Sequence, residues 1–295
     1  FIKNTIKVFK FINNNKIDIA ISRISPYISS ACFLFGKPHI GLTDTETAGI
    51  YDKVFSKFLS VLFTATSFRK TLRKDQIRFE GNIELFYLHP KRFEPLSKKK
   101  VSTLLNIETD EPYIIMRFVS WDAYHDKGLS GFTDQNKKLA VQEFSKYLRV
   151  FISAEKDISS ELEPYRIKIP PEKMHDVLAN ATLFFGESGT MASESAVLGT
   201  PAIFLDKKGR GYTDEEEEYG LVYNFKNDLK SQHESIKKGI ELLAFKTIKN
   251  KISKNRKAFL DGKIDPTSFL LWFIENYPKS KELMNKNPDY QYNFK

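Results

Sequence analysis

The sequence predicts an α/β protein with two parallel β-sheets that follow one another along the chain. Apolar runs of strand length alternate with helical segments over most of the 295 residues. These runs are apolar on consecutive residues, which is typical of strands covered by helices on both faces. The alternation is broken at 87–100 by two prolines and a run of three lysines. We therefore predict two α/β units joined by a linker at this position.

The first unit is predicted from the N-terminal third of the chain. The helix at 25–36 has clear boundaries, because serine caps its start, proline stands in its first turn and glycine ends it. The other helices are expected at 1–12 and 51–60, and the strands at 17–22, 38–43, 61–66 and 77–81. Because the chain starts with Phe1 and enters a helical pattern at once, we expect this unit to be truncated.

The second unit repeats the alternation after the linker. Its strands are expected at 113–120, 149–155, 182–188, 201–206 and 220–225, and its helices at 133–148, 170–181, 190–199 and onward to about 257. A polar loop with Asp214 and four consecutive glutamates is expected after the fourth of these strands. We assign 1–90 to the first domain, 91–264 to the second, and 265–295 to an apolar C-terminal helix with a polar tail.

Composition and charge exclude several classes of function. Hydrophobic residues make up 41% and charged residues 28% of the chain, and no apolar run reaches the length of a membrane span. The net charge of +9 is scattered apart from 98–100, and no nucleic-acid-binding motif is recognised, so specific nucleic-acid binding is not expected. The helix at 1–12 has lysines on one face, which indicates either weak contact with an anionic membrane or a helix packed on a sheet. The single cysteine, Cys32, is expected to be a buried thiol in a reducing cytoplasm.

The stretch FFGESGTMASESAVLGTPAIF contains the strongest candidate for a site. Gly186, Ser188, Gly189 and Thr190 lie between a strand and a helix. Small residues allow a ligand to approach the backbone, and the first N–H groups of a helix favour an anion such as a phosphate. Glu194 lies one turn into the helix on the same face, where its carboxylate could accept hydrogen bonds from vicinal hydroxyls of a ribose. The alternatives are a capped turn without a ligand, and a serine nucleophile, although the closing glycine of G-x-S-x-G is missing.

This turn, with LGTPAIF, resembles the C-terminal domain of GT-B-type proteins, which include nucleotide-sugar glycosyltransferases and non-hydrolysing UDP-N-acetylglucosamine 2-epimerases. The whole chain is similar to a prokaryotic family, domain of unknown function 354. That similarity rests on ISRISPY, DTETA, YLHPKRF, RFVSWDAYHDKG, IKIPPEKMHDVLANA, GESGTMASESAVLGTPAI and EEEYGLVYNF, which run from about 21 to 225. Members of the family usually have an earlier βα portion, which implies that about a quarter of the first domain is missing here.

The resemblance implies a GT-B-like fold, with two Rossmann-like domains facing a cleft and the last helix packed back on the first domain. It also implies a nucleoside diphosphate sugar as substrate, with no separate cofactor and no metal site. The implied contacts are Ser188, Gly189, Thr190 and Arg117 with the diphosphate, Glu194 with the ribose, Pro170 and His175 with the base, and Thr213, Glu215 and Glu187 with the donor sugar or the turn itself.

Candidate acids and bases follow two predicted strands. Asp44 and Glu46 come after the strand at 38–43, and Asp122, His125 and Asp126 come after the strand at 113–120. Histidine is the side chain best suited to proton transfer near neutral pH, so His125 beside Asp126 is the first pair to test. We expect a glycosyltransferase of cell-surface glycan synthesis. The alternatives are a UDP-sugar 2-epimerase-like enzyme and a nucleotide-sugar-binding protein without catalytic activity.

Overall fold

The structure is a computed structural model, and it describes residues 1–46, 49–119, 131–154, 157–244 and 248–295. The chain divides into two compact units, the first formed by Phe1–Ile83 with Lys263–Lys295 and the second by Glu84–Gly262. Each contains a parallel sheet with helices, as the sequence predicts. Among the described residues, no helix is both long enough and apolar enough to cross a membrane.

The first unit contains a four-stranded parallel sheet in the order β1-β2-β3-β4. Its strands are β1 Ala20–Arg23, β2 His39–Leu42, β3 Val61–Ala65 and β4 Ile77–Phe79, and its first helices are α1 Ile2–Asn14, α2 Pro26–Leu34 and α3 Ile50–Phe55. Every residue of β2 and β3 is buried, as expected for central strands of a parallel sheet. Ser25 caps α2 by accepting the backbone N–H of Ile28.

The helix α1 packs on α2 through a small apolar cluster that contains Ile12, Ala31 and Cys32. Cys32 is fully buried, which confirms the expected buried thiol, and this burial raises the pKa of the thiol. Ile2 and Ile6 of α1 are exposed. The apolar face that the sequence indicates for α1 is therefore only partly covered within the described residues.

The second unit contains a five-stranded parallel sheet in the order β6-β5-β7-β8-β9. Its strands are β5 Tyr113–Phe118, β6 Arg149–Ala154, β7 Leu183–Gly186, β8 Ala202–Leu205 and β9 Val222–Phe225. Its helices are α4 Leu85–Leu88, α5 Lys98–Leu105, α6 Asp134–Phe144, α7 Met174–Asn180, α8 Gly189–Leu198, α9 Gly211–Glu218, α10 Leu229–Ala244 and α11 Ile248–Asp261. The core lies between the sheet and these helices, and Phe144, Phe184 and Phe185 are among its largest fully buried side chains.

The chain then returns to the first unit through α12 Pro266–Glu275, α13 Lys279–Lys286 and a 3₁₀ helix at Pro288–Phe294. Asp265 caps α12 by accepting the N–H groups of Thr267 and Ser268. The ring of Phe273 packs edge-on against Phe63 of β3 at 4.8 Å between centroids. This C-terminal segment therefore supplies part of the core of the first unit.

The tail after α12 differs from the polar tail that the sequence indicates. It is helical, and Gln291 is buried in it. The Oε1 atom of Gln291 accepts the backbone N–H of Glu80 across 2.8 Å. A polar side chain can be buried when it satisfies backbone groups of a strand end, and pattern reading cannot anticipate that pairing.

The predicted linker at 87–100 is wrong. Leu85 and Leu88 of α4 are buried in the core of the second unit. The N–H of Leu96 donates to Oδ1 of Asp176, and the lysine run opens α5. Prolines and charges gave this stretch the composition of a linker, yet its leucines anchor it, and the division between the units falls after Ile83.

The predicted acidic loop is also wrong, because this stretch forms α9. Glutamate is a good helix former, and Asp214 in the first turn complements the helix dipole. Glu216 is fully buried and accepts a 2.5 Å hydrogen bond from the hydroxyl of Ser193 in α8. Glu217 and Glu218 are exposed, so only part of the acidic run is solvated.

Candidate functional site

The order of strands in the second unit determines where a ligand site is expected. Counted within this unit the order is 2-1-3-4-5, a doubly wound arrangement in which β5 lies between β6 and β7. The chain leaves β5 toward β6 on one side and leaves β7 toward β8 on the other side. Because these connections run in opposite directions along the sheet, a crevice opens outside the carboxyl ends of β5 and β7. The Gly-Glu-Ser-Gly-Thr turn follows β7, so it borders this crevice.

The turn leads directly into α8, as predicted. Ser188 is the N-cap residue, and its hydroxyl accepts the N–H of Met191 across 3.3 Å. Ser188 and Gly189 are half-buried and Thr190 is exposed, so the first turn of the helix is open to solvent. Its N–H groups are the ones that a helix leaves without intrahelical partners.

Close neighbours leave no room for a side chain at two glycines of the turn. A Cβ atom on Gly186 would lie 2.3 Å from the backbone oxygen of Arg117 in the adjacent strand. A Cβ atom on Gly189 would lie 2.7 Å from the hydroxyl of Tyr212 and 3.2 Å from the ring of Phe204. Tyr212 of α9 therefore packs directly beside the first residue of α8, a neighbour that the sequence reading missed.

A cavity of about 350 Å³ lies at the carboxyl ends of β5 and β6. Its walls are mostly apolar, and they come from both strands, the extended segment after them, and the starts of α7 and α8. The lining residues are Arg117, Ile152, Ser153, Ala154, Arg166, Ile167, Ile169, Pro171, Met174 and Met191. Because Met191 belongs to the first turn of α8, the cavity and the open helix end are adjacent.

Arg117 brings a cation to this cavity. It is the second-last residue of β5, and its Nη1 atom donates to the hydroxyl of Ser153 in β6 across 2.7 Å. The hydrogen bond orients a planar guanidinium whose fork geometry suits phosphate oxygens. Pro170 is exposed beside the cavity, next to the lining residue Pro171.

Glu194 is buried in α8 and holds two partners. Its Oε1 atom accepts the hydroxyl of Tyr87 across 2.9 Å and lies 2.9 Å from Nε2 of His175. This hydrogen bond and the charge of Glu194 raise the pKa of His175, although burial of the ring opposes the shift. Glu194, the predicted ribose acceptor, is thus hydrogen-bonded to His175, the histidine predicted to contact the base. Both residues follow cavity-lining residues in the sequence: His175 comes directly after Met174, and Glu194 comes one helical turn after Met191.

Glu187 lies inside the protein and contacts backbone atoms. Its Oε1 atom accepts the N–H of Phe132 across 2.5 Å, and its Oε2 atom accepts the N–H of Val119 across 3.4 Å. These two residues flank 120–130, the segment with Asp122, His125 and Asp126, which lies outside the described residues. Glu187 therefore connects the turn after β7 to the end of β5.

Thr213 and Glu215, the predicted donor-sugar contacts, belong to α9. Thr213 is fully buried, and its hydroxyl donates to the carbonyl of Arg210 across 3.0 Å. Arg210 forms an ion pair with Asp206, which directly follows β8. Glu215 is half-buried and is engaged by neighbouring groups. Thr213 thus supports the start of α9.

Two carboxylates of the first unit, Asp44 and Glu46, follow β2 along the chain. Asp44 forms an ion pair with Arg23 and accepts the hydroxyl of Thr45 across 2.9 Å. Glu46 is buried, and its Oε1 atom accepts the N–H of Arg69 across 3.4 Å.

A third carboxyl group, Asp52, was not singled out from the sequence. It is buried in the first turn of α3 and accepts the hydroxyl of Thr43 across 3.0 Å. Burial raises its pKa, although this hydrogen bond and the charges of Lys70 and Arg23 act in the opposite direction. An Asp in the first turn of a helix normally complements the dipole, so the sequence offered no sign of this environment.

Comparison with known structures supports the architecture. S. aureus MnaA, solved with UDP, superposes with a TM-score of 0.66 at 13% identity, over 94% of this chain and 79% of that one. A UDP-N-acetylglucosamine 2-epimerase gives 0.61 at 15% identity, over 94% and 77%. The spinosyn rhamnosyltransferase SpnG, solved with spinosyn aglycone, gives 0.57 at 12% identity, over 92% and 76%.

At these identities the likeness shows the fold, and the GT-B-like α/β fold predicted from the sequence is confirmed. A search of curated proteins found no match. Residues 1–261 match the family described as protein of unknown function DUF354. This match covers most of the chain and agrees with the motifs that run from 21 to 225. The protein belongs to the DUF354 family.

Proposed function

We propose that this protein binds a nucleoside diphosphate sugar through its second unit and transfers the sugar to an acceptor hydroxyl. The cavity beside the first turn of α8 carries the proposal. A volume of about 350 Å³ with apolar walls suits a planar base, and the adjacent N–H groups suit a phosphate. The cavity also adjoins the topological switch point between β5 and β7, where doubly wound sheets bind their ligands.

In this proposal the diphosphate lies against Ser188, Gly189 and Thr190. The helix dipole and the N–H groups of the first turn stabilise negative charge there. Arg117 adds a full positive charge from β5, and the exposed Lys207 and Lys208 follow β8, the strand next to β7. These groups could stabilise the diphosphate as it leaves the sugar, which is the largest demand of the transfer step.

The ribose is proposed to bind at Glu194, and the base beside His175. A buried carboxylate is a strong acceptor for ribose hydroxyls because little water competes with them. Proton removal from the acceptor hydroxyl is proposed for His125 with Asp126, in the segment whose flanking residues Glu187 holds. Transfer therefore combines a binding site on α8 with a base after β5.

A second candidate function is epimerisation of the bound sugar. That reaction needs acid and base groups that remove and return a proton. The observation in its favour is the set of carboxyl groups after β2, Asp44, Glu46 and Asp52, of which Asp52 has a raised pKa. A carboxyl group with a raised pKa keeps its proton to a higher pH, which makes it better suited to act as an acid.

The first experiment is calorimetry of the full chain with UDP, ADP and GDP and their sugars. The Glu194→Ala variant should weaken binding by about 1–3 kcal/mol, the usual cost of leaving polar groups unpaired. Glu218→Ala is the matched control, because Glu218 is an exposed glutamate of α9. Absence of binding by any of these compounds, or equal affinity of wild type and Glu194→Ala, would contradict the proposed site.

The reaction is then decided by NMR of the sugar. Incubation with UDP-N-acetylglucosamine alone should leave the sugar unchanged if the protein is a transferase. Appearance of the 2-epimer without an acceptor would establish the second candidate. Release of UDP only when an acceptor glycan or lipid is added would establish transfer, and binding without either change would indicate a nucleotide-sugar-binding protein.

A further inference from the structure

Two hydrogen-bond donors converge on a single oxygen of Glu194. The hydroxyl of Tyr87 and the Nε2 atom of His175 each lie 2.9 Å from Oε1. A carboxylate oxygen has about two lone-pair sites, so both positions at Oε1 are filled by protein groups. A ribose hydroxyl that binds this oxygen must therefore replace one of them.

Tyr87 is the donor that is easier to displace. Tyr87 is 39% exposed, and the side chain of the other donor, His175, is 31% exposed. A released Tyr87 hydroxyl can be hydrated immediately, because it already lies at the surface. Leu85 and Leu88 anchor α4 in the core on either side of it, so the side chain can leave while the helix stays in place.

His175 is held more firmly on the carboxylate. Glu194 raises the pKa of His175, so the ring keeps its proton to a higher pH than usual, and in that form it adds an ion pair to the hydrogen bond, whereas the uncharged phenol of Tyr87 does not. The ring of His175 also packs against Tyr87 at 5.5 Å and Phe93 at 6.0 Å between centroids. The weaker and more exposed partner of Glu194 is thus Tyr87.

We propose that Tyr87 is a specificity-determining residue that occupies the position of a ribose hydroxyl on Glu194 and is displaced when a ribonucleotide binds. This inference rests on the proposed function, because it takes Glu194 as the ribose acceptor. It adds that the Tyr87 hydroxyl competes with the ribose for Glu194. A ligand with a ribose hydroxyl returns to Glu194 the hydrogen bond that it loses when Tyr87 leaves, so the exchange favours ribonucleotides over nucleotide analogues whose sugar lacks the hydroxyls.

The test compares Tyr87→Phe with wild type in calorimetry against UDP, ADP and GDP and the 2′,3′-dideoxy form of each. Removal of the competing hydroxyl should strengthen binding of the ribonucleotides by about three- to tenfold, the value of one net hydrogen bond. Binding of the dideoxy compounds should not change. In a Glu194→Ala background, Tyr87→Phe should leave ribonucleotide affinity unchanged, because the shared acceptor is gone.

Tyr147→Phe is the matched control, since Tyr147 is an exposed tyrosine of the same unit that precedes β6, at the opposite end of the sheet from the turn. Weaker ribonucleotide binding by Tyr87→Phe would mean that Tyr87 supports Glu194, and it would overturn the inference. The inference would also be overturned if Tyr87→Phe changed the affinity for ribonucleotides and dideoxy compounds equally, or changed neither. If wild type binds none of the nucleotides, the proposed function itself fails, which is a different result from binding that ignores Tyr87.

Discussion

The backbone N–H of Phe132 donates a 2.5 Å hydrogen bond to Oε1 of Glu187, a residue 55 positions later in the chain. The other oxygen of the same carboxylate accepts the N–H of Val119. One buried side chain therefore holds both residues that flank 120–130, and it does so from within the turn that begins α8. The turn proposed to bind an anion therefore contains the side chain that holds the residues on either side of 120–130.

Replacement of Glu187 should destabilise the second unit. Glu187→Ala leaves two backbone N–H groups without their acceptor, and we expect the free energy of unfolding to fall by about 1–3 kcal/mol. Glu187→Gln keeps one acceptor oxygen and should lose less. Urea unfolding followed by circular dichroism measures both, with Glu218→Ala as the exposed control. An alanine variant as stable as wild type would contradict this role.

Gly189 and Tyr212 should be energetically coupled. A methyl group at position 189 would meet the Tyr212 hydroxyl at 2.7 Å, so Gly189→Ala should destabilise the protein by about 1–3 kcal/mol through overpacking. Tyr212→Phe removes the oxygen and should relieve part of this cost in the double variant. A double-mutant cycle from thermal unfolding measures the coupling. Strictly additive effects would show that the two residues do not meet.

The His175–Glu194 pair should stabilise the protein most at acidic to neutral pH. The pKa of His175 is raised above the ordinary value of 6.5, so the folded state binds the proton more tightly than the unfolded state. The contribution is complete below pH 6.5 and is lost as the pH rises through the higher folded-state pKa. His175→Gln should therefore lower stability more at pH 5.5 than at pH 8.5, measured by urea unfolding. Equal losses at the two pH values would contradict the pairing.

His39 should have the opposite pH dependence. It is fully buried with its Nε2 atom 2.9 Å from the hydroxyl of Ser22, and burial lowers its pKa from 6.5 to about 4. The neutral ring is favoured in the folded state, so its contribution is present above pH 6.5 and is lost as the pH falls toward 4. Between pH 6.5 and 4.5, wild type should lose more stability than His39→Gln. Parallel curves for the two proteins would show that His39 is not buried in its neutral form.

The parts of the fold that depend on neighbours along the chain could be predicted from the sequence. Ser25 caps its helix as its position indicates, and β7, the turn and α8 follow one another as predicted. These features depend on local propensity and on apolar runs, which are visible in a linear sequence.

The parts that depend on distant partners could not be predicted. Tyr87 meets Glu194 across 107 positions, and Glu216 is buried only because Ser193 of another helix donates to it. The composition of 87–100 indicated a linker, since pattern reading does not show which leucines reach a core. The sequence therefore indicated the turn as a candidate site, while the groups around the turn became evident only in three dimensions.

The two-part composition of the first unit has a consequence for biosynthesis. Residues 84–262 are contiguous, so the second unit is complete in the nascent chain before Phe273 leaves the ribosome. The first unit lacks Phe273, which packs on Phe63, and Gln291, which bonds to Glu80, until translation has passed those codons. Although domains generally fold in order of synthesis, the contiguous second unit should here mature first, and the first unit, whose two parts lie on either side of it in the sequence, should be the last to close.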